Sequence, residues 1–424
     1  MTPATKQSSR AAAAAFIGTM IEWYDFYIYA LASALVFGQL FFASSNAFIG
    51  TMASFATFAI GLVIRPLGGA IFGHVGDKLG RKKSLIITLF MMGIATVGVG
   101  LLPTYTQAGI LAPVLLIALR LLQGIAVGGE WGGAVLIAGE HAPDGRRAFF
   151  ASFAQLGSPA GLILATLSFR FIAAMPQEAF ISYGWRLPFL ASVILLLIGI
   201  LIRSTINESP EFLASRAKKQ TVAAPLIELF RKSKTLLALT IGANVLGIAG
   251  FYFTSTFMVT YTTQYLHLDK NIILNALLIV SIIQFFNTPL CAWLGEKMGV
   301  RTFLMLTSLT GAVTPYLMFH LVNTGQLDNI IAGIALPVLF ISAYYAVIAG
   351  HISGLFPTAL RYTGISMSYQ LCGAIAGAMT PMMATLLAEK FIGQWIPLAL
   401  FFSFLALISF FCILLLSPKR YTSH

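Results

Sequence analysis

A short basic turn, Gly73-His74-Val75-Gly76-Asp77-Lys78-Leu79-Gly80-Arg81-Lys82-Lys83, separates two long apolar runs of this 424-residue chain. A partial copy of that turn, Glu296-Lys297-Met298-Gly299-Val300-Arg301, follows 219 positions later, again between apolar runs. Because the same loop recurs half a chain apart, the sequence predicts a protein made of two structurally similar halves.

Two further signatures recur at nearly the same offset. The first is Pro143-x3-Arg147 followed by Ser152, Gln155 and Gly161, which returns as Pro357-x3-Arg361 followed by Ser366, Gln370 and Gly377. The second is Trp185-Arg186-Leu187-Pro188, which returns as Trp395-Ile396-Pro397. We therefore expect halves at 1–205 and 235–424, joined by a polar linker at 206–234. This linker is either a plain solvated segment or carries a short helix on the membrane surface.

The composition indicates that lipid is the main solvent of this chain. Hydrophobic residues make up 58% of it, charged residues make up 9%, and the mean hydropathy is +0.87. A soluble protein carries about 25% charged residues. Apolar runs of about 20 residues cross a bilayer as helices. The sequence predicts an all-α membrane protein with twelve such spans, centred near residues 25, 60, 92, 122, 160, 195, 250, 282, 311, 340, 375 and 405.

The net charge of +12 is explained by topology rather than by a nucleic-acid partner. Of the 26 Lys and Arg residues, 20 fall at the chain ends or on alternate loops, and the opposite loops hold only Arg170, Arg186, Lys270 and Lys390. The positive-inside rule then places both termini in the cytoplasm. Weak attraction to anionic membrane lipid follows from the same charges.

The chain resembles the major facilitator superfamily of transporters. Its first basic turn matches the superfamily's loop motif, and Arg120-Leu121-Leu122-Gln123-Gly124 matches the motif of the fourth span. Within the superfamily it is similar to the metabolite:proton symporters, on the stretches Glu22-Trp23-Tyr24-Asp25-Phe26, Arg65-Pro66-Leu67-Gly68-Gly69, Gly128-Gly129-Glu130-Trp131-Gly132-Gly133, Gly184-Trp185-Arg186-Leu187-Pro188-Phe189 and Glu208-Ser209-Pro210-Glu211-Phe212. The resemblance implies two six-helix bundles around a central site in a bacterial inner membrane.

Five ionisable residues lie inside predicted spans, all in the first half: Glu22, Asp25, Arg65, Arg120 and Glu130. Charges within a membrane are costly and indicate function. Glu22 and Asp25 share a helix face, and two carboxylates so close in low dielectric resist joint ionisation, so we expect one of them to bind a proton. The resemblance implies that Arg120 holds Asp25 ionised until a proton displaces it. The alternative is that these acids only pair structurally with arginines. Glu130 is either a second proton site or an anchor for a neighbouring helix.

Arg65 and Arg120 can each bind a carboxylate through two parallel hydrogen bonds, which predicts an anionic substrate. The alternatives are that Glu22, Asp25 and Glu130 fully neutralise both arginines, or that the substrate is a zwitterion. Polar and aromatic residues could complete the site, although each could equally serve core packing: Tyr29, Gln155, Tyr252, Gln284, Asn287, Tyr345, Tyr369 and Gln370.

Gly73, Asp77 and Arg81 of the first turn are predicted to gate the inner side, unless the turn only sets topology. The sequence as a whole predicts proton-coupled uptake of a small organic acid by alternating access. Uptake of a betaine or proline, export by antiport, and a non-transporting sensor with a carrier fold are the alternatives. No catalytic constellation, cofactor motif, metal spacing or obligate protein partner is predicted.

Overall fold

The computed structural model describes residues 3–42, 46–79, 81–128, 130, 147–205, 229–231, 233–353, 355 and 361–416. Regular secondary structure within these ranges is helical, and they contain no strand. Most of the predicted linker at 206–234 lies outside them, so the predicted division of the chain into two halves and a linker stays a prediction.

Six long helices form the first half. They are α1 (Pro3–Leu35), α2 (Ala47–Val63 and Arg65–Leu79, with a turn at Ile64), α3 (Arg81–Leu101), α4 (Leu111–Gly128), α5 (Arg147–Ala173) and α6 (Leu187–Ser204). Short helices at Phe37–Phe41, Tyr105–Ala108 and Gln177–Ser182 and a 3₁₀ turn at Gly184–Arg186 lie between them. Asn46 caps α2, because its side chain accepts a hydrogen bond from the Phe48 backbone N–H.

The second half also has six long helices. They are α7 (Lys234–Tyr252, extended through π turns at Phe253–Phe257 and Tyr261–Tyr265), α8 (Lys270–Met298), α9 (Val300–Val322), α10 (Leu327–Ser353), α11 (Arg361–Cys372, a π turn at Gly373–Gly377, then Ala378–Lys390) and α12 (Ile396–Leu415). Gly299 separates α8 from α9 at a φ of 86°, which explains the glycine in the second copy of the basic turn.

Eleven helices of the described ranges are long and apolar enough to cross a membrane. Helix α1, with 33 residues, is the twelfth, and Glu22 and Asp25 make it less apolar than the others. The prediction of an all-α membrane fold is therefore confirmed.

Within the described residues, the largest contacts between the two halves are those of α5 with α8 and of α2 with α11, and α1 also packs against α7. Glycines set the close packing inside the first half. A side chain at Gly68 would overlap the backbone carbonyl of Ile125, and one at Gly128 would overlap that of Arg65, so α2 and α4 are in backbone contact. Gly157 and Gly161 of α5 pack in the same way against the backbone of α1. These contacts bring the charged residues of α1, α2 and α4 together.

Candidate functional site

A small cavity lies between the two halves. The first half contributes Trp23, Tyr27 and Ser158, and the hydroxyls of Tyr27 and Ser158 lie 2.8 Å apart. The second half contributes its larger share, which includes four of the predicted substrate-binding residues: Tyr252, Gln284, Tyr345 and Tyr369. The wall is therefore mostly aromatic, with a few amide and hydroxyl groups for orientation.

A second small cavity adjoins the first. Gln155, another predicted residue, lines it together with Asn244 of α7. Tyr345 and Tyr369 line both cavities, and their hydroxyls are 3.1 Å apart. The two tyrosines thus form the partition between the two spaces.

Arg65 is buried at the start of the second segment of α2, and its guanidinium lies 4.3 Å from the ring centroid of Phe26. Its Nε has no hydrogen-bond acceptor, and no hydrogen bond or ion pair joins its side chain to another described residue. Its charge acts on the hydroxyls of Tyr252 and Tyr345, which line the central cavity. A buried guanidinium without a hydrogen-bonded carboxylate is costly, which makes this position receptive to an anion.

Asp25 lies deeper in the first bundle, 2% exposed, and does not line either cavity. One carboxylate oxygen accepts from the Thr96 hydroxyl at 3.0 Å and the other accepts from the Ser192 hydroxyl at 2.8 Å. The expected direct ion pair between Asp25 and Arg120 is not present in this structure. The carboxylate is held by neutral hydroxyls of α3 and α6 instead.

Arg120 is 1% exposed and is surrounded by aromatic rings. Its guanidinium carbon lies 4.0 Å from the ring centroid of Tyr29 and 4.7 Å from that of Phe26. One terminal nitrogen donates to the side-chain oxygen of Gln123 at 3.1 Å, while Nε and the other terminal nitrogen have no acceptor. The Tyr29 hydroxyl donates to Thr57, so Tyr29 positions Arg120 rather than facing the cavity.

Glu130 forms a buried ion pair with Arg203 of α6. Arg203 also donates to the backbone carbonyl of Leu85 at 2.6 Å, and the Thr88 hydroxyl lies 3.5 Å from Glu130. The sequence places Arg203 among the loop charges after the sixth span, and that placement is wrong because α6 continues to Ser204. The uninterrupted apolar run up to Ile202 is the signal that could have identified it.

Glu22 is buried, and its Oε2 has no hydrogen-bond partner. Electrostatically it faces Glu130, Arg65 and Arg203. The structure therefore joins the predicted charges into one buried group that includes Arg203. Within the described residues this group holds three carboxylates (Glu22, Asp25, Glu130) and three guanidiniums (Arg65, Arg120, Arg203).

Comparison with known proteins identifies the family. Residues 11–235 match the model of the sugar (and other) transporter family. The chain is 36% identical to the shikimate transporter of Escherichia coli K12, over 98% of this chain and 95% of that protein. It is 37% identical to the inner membrane metabolite transport protein YhjE of the same strain, over 89% and 87% of the two chains.

The chain belongs to this transporter family. It is a multi-pass transporter of the bacterial inner membrane and a member of the major facilitator superfamily, as the resemblance in its sequence predicts. A proline/betaine transporter of Escherichia coli K12 is 32% identical over 90% of this chain and 78% of that protein. The fold matches that of the xylose transporter XylE from E. coli, in a partially occluded inward open conformation, with a TM-score of 0.77 and 18% identity over 96% and 97% of the two chains.

Polar side chains join the two halves of the transporter at two places. On the outer side, as the loop charges define it, the side chains of Thr51 and Gln264 are hydrogen-bonded to each other at 2.8 Å. Next to the cavity residue Tyr369, the side-chain nitrogen of Gln370 donates to the backbone carbonyl of Gly128 at 3.4 Å, which joins α11 to α4. The predicted residue Gln370 therefore lies at the contact between the halves.

Of the remaining predicted residues of the transporter, Asn287 lines neither cavity. Asn287 donates to the Leu339 carbonyl at 3.0 Å and to the Ser342 hydroxyl at 2.7 Å, so it ties α8 to α10. The side chains of Gly73, Asp77 and Arg81 lie outside the described part of the structure. Their role in gating stays a prediction.

Proposed function

We propose that this transporter carries a small organic acid anion into the cell together with a proton, by alternating access between the two halves. The observation that carries the proposal is the guanidinium of Arg65, which is buried, acts by its charge on the cavity tyrosines Tyr252 and Tyr345, and makes no hydrogen bond or ion pair with another described residue. A substrate carboxylate in the cavity would supply the missing acceptors through two parallel hydrogen bonds. The relative named for shikimate, a carboxylic acid, supports this substrate class.

The charge balance gives a physical reason for proton coupling. With all six buried groups ionised, three carboxylates face three guanidiniums, and Glu130 and Arg203 already neutralise each other. An anion entering this group adds an uncompensated negative charge in low dielectric, which is unfavourable. Protonation of Asp25 or Glu22 removes one negative charge and restores the balance. Substrate and proton therefore favour each other's binding.

Proton flux into proteoliposomes tests the coupling. Purified transporter is reconstituted with a pH-sensitive dye in the lumen, and an organic acid is added outside without a preset pH gradient. The proposal expects the lumen to acidify with the acids that are transported. A transporter that accumulates an organic acid with no accompanying proton flux would contradict the coupling.

Variants of Arg65 test the substrate class. A hydrogen bond to a charged group contributes about 1.5–3 kcal/mol, so Arg65→Gln is expected to weaken the binding of an organic acid about 10- to 100-fold. Arg65→Lys keeps the positive charge but not the paired hydrogen-bond geometry, so its affinity for the acid should lie between those of wild type and Arg65→Gln. Arg231→Gln, at an exposed arginine, is the matched control. If Arg65→Gln and the control bind the acid with equal affinity, Arg65 does not bind the substrate carboxylate.

The second candidate is proton-coupled uptake of a betaine, and the aromatic wall favours it. Trp23, Tyr27, Phe251, Tyr252, Tyr345 and Tyr369 surround the central cavity, and aromatic rings bind quaternary ammonium groups through their faces. The relative named for proline and betaine supports this reading. Competition between glycine betaine and an organic acid in the same vesicles separates the two candidates, because the true substrate class inhibits at the lower concentration.

A further inference from the structure

A chain of three hydrogen bonds connects Arg120 to Asp25. Arg120 donates to the side-chain oxygen of Gln123 at 3.1 Å, the Gln123 amide nitrogen donates to the Thr96 hydroxyl at 2.8 Å, and that hydroxyl donates to Asp25 at 3.0 Å. All four side chains are buried. Every donor points toward the carboxylate, so the bonds polarise one another in the sense that stabilises an ionised Asp25.

Each of the two hydroxyls that donate to Asp25 also has a second acceptor within reach. Thr96 lies 3.0 Å from the backbone carbonyl of Met92, and Ser192 lies 3.4 Å from that of Pro188. These carbonyls stand one turn earlier in the same helices, a position that Ser and Thr hydroxyls often use. Thr96 and Ser192 therefore have two arrangements: one directed at α1 through Asp25, and one directed back at their own helices.

We propose that Thr96 and Gln123 are positioning residues of the proton site, and that proton binding at Asp25 turns the Thr96 and Ser192 hydroxyls from the carboxylate to the carbonyls of Met92 and Pro188. The inference rests on the proposed function, in which Asp25 takes up the proton. The proton adds to a carboxylate oxygen, and no other covalent bond changes. Both links of α1, to α3 and to α6, weaken together.

This chain of hydrogen bonds from Arg120 through Gln123 and Thr96 to Asp25, called the relay below, explains how protonation of Asp25 affects Arg120 without direct contact between them. Once Thr96 no longer donates to a carboxylate, the polarisation that runs through Gln123 is lost, and the hydrogen bond from Arg120 to Gln123 weakens. Other charged and titratable groups around Asp25 act on it through space rather than through this chain of bonds. They are Tyr24 on α1 and Glu130 after α4. Glu22 on α1, Arg65 on α2 and Arg203 on α6 are the other buried charged groups of the same bundle.

Infrared titration of the purified full-length protein tests the relay without any substrate. The C=O stretching band of a protonated carboxyl group is followed against pH, and the part of it that disappears in Asp25→Asn belongs to Asp25. Thr96→Val has nearly the same shape but no hydroxyl, and Gln123→Met removes the middle of the relay. Thr166→Val is the matched control, because the Thr166 hydroxyl is equally buried but has no hydrogen-bond partner.

The ionised carboxylate loses a donor in Thr96→Val, so its proton is held to higher pH. The midpoint of the Asp25 band should rise by about one pH unit or more. Gln123→Met should raise it by a few tenths of a unit, since cooperative strengthening is about 10–30% per bond. Thr96→Ser keeps a hydroxyl and should return the midpoint close to that of the wild type, and Thr166→Val should leave it unchanged.

Two results would overturn the relay while leaving the proposed function standing. One is an Asp25 band whose midpoint is the same in wild type, Thr96→Val and Gln123→Met. The other is an equal shift in the Thr166→Val control. If Asp25→Asn removes no part of the band in the wild-type titration range, Asp25 is not the proton site. The proton-site assignment within the proposed function and the relay then both fail.

Discussion

Breaking the buried ion pair between Glu130 and Arg203 should be among the most damaging single changes in this protein. The two side chains are 0% and 6% exposed, so water cannot replace the lost partner. Arg203→Met leaves Glu130 as an uncompensated buried charge, which costs about 3–5 kcal/mol. The Leu85 carbonyl keeps the Thr88 hydroxyl as a donor and adds little to this loss.

The double variant Glu130→Met/Arg203→Met shows how much of the loss in free energy of unfolding comes from the unpaired charge and how much from losing the ion pair itself. Replacing both partners of a buried pair by apolar groups is often neutral or stabilising. We therefore expect the double variant to be close to wild type in stability and about 3 kcal/mol more stable than Arg203→Met.

Equilibrium unfolding in mixed detergent micelles, followed by tryptophan fluorescence, measures these differences in the free energy of unfolding. Arg231→Met, at an exposed arginine, is the control and should stay within about 0.5 kcal/mol of wild type. A single variant as stable as this control would refute the reasoning. So would a double variant that is no more stable than Arg203→Met.

Two further predictions concern the contacts between helices and between halves. Gly128→Ala should destabilise the protein by about 1–3 kcal/mol, because its methyl group would overlap the Arg65 carbonyl. Gly311→Ala is the control and should not destabilise the protein, because its methyl group would make only ordinary contacts with Leu246. The same unfolding assay compares the two variants. Thr51→Val removes a hydrogen bond that joins the halves on the outer side, worth about 0.5–1.5 kcal/mol, so the outward-open population should rise about 2- to 10-fold in fluorescence energy transfer between labels on the outer loops. An unchanged transfer efficiency would show that this bond does not hold the outer side closed.

The fold was largely readable from the sequence because lipid imposes strict rules on it. Apolar runs of about 20 residues must become helices, and the two basic turns mark equivalent positions in two halves. The glycine of the second turn is required by a positive φ at Gly299. These features depend on local sequence alone, so no knowledge of the packing was needed.

The candidate site was readable only in part. The residues Tyr252, Gln284, Tyr345 and Tyr369 were predicted as polar or aromatic groups inside apolar spans, and all four line the central cavity. Asn287 fits the same pattern but bonds to α10, because the sequence does not fix the rotation of one helix against another.

The partners of Asp25 were missed for a related reason. Thr96 and Ser192 are two of many hydroxyl residues in these spans, most of which bond to their own helix, and nothing in their local sequence separates them from the others. The expected direct partner Arg120 is connected to Asp25 only by hydrogen bonds through Gln123 and Thr96. A sequence motif can identify the charged members of a site, but not the neutral groups that connect them.

The coupling of uptake to Asp25 is the central claim, and the most direct measurement compares wild type with Asp25→Asn in proteoliposomes. Accumulation of labelled organic acid driven by an inward proton gradient is measured beside counterflow exchange of the same acid without a gradient. We expect Asp25→Asn to lose accumulation and to keep exchange, because its neutral amide imitates the protonated acid and cannot release a proton. Accumulation in Asp25→Asn at the wild-type level would contradict the account.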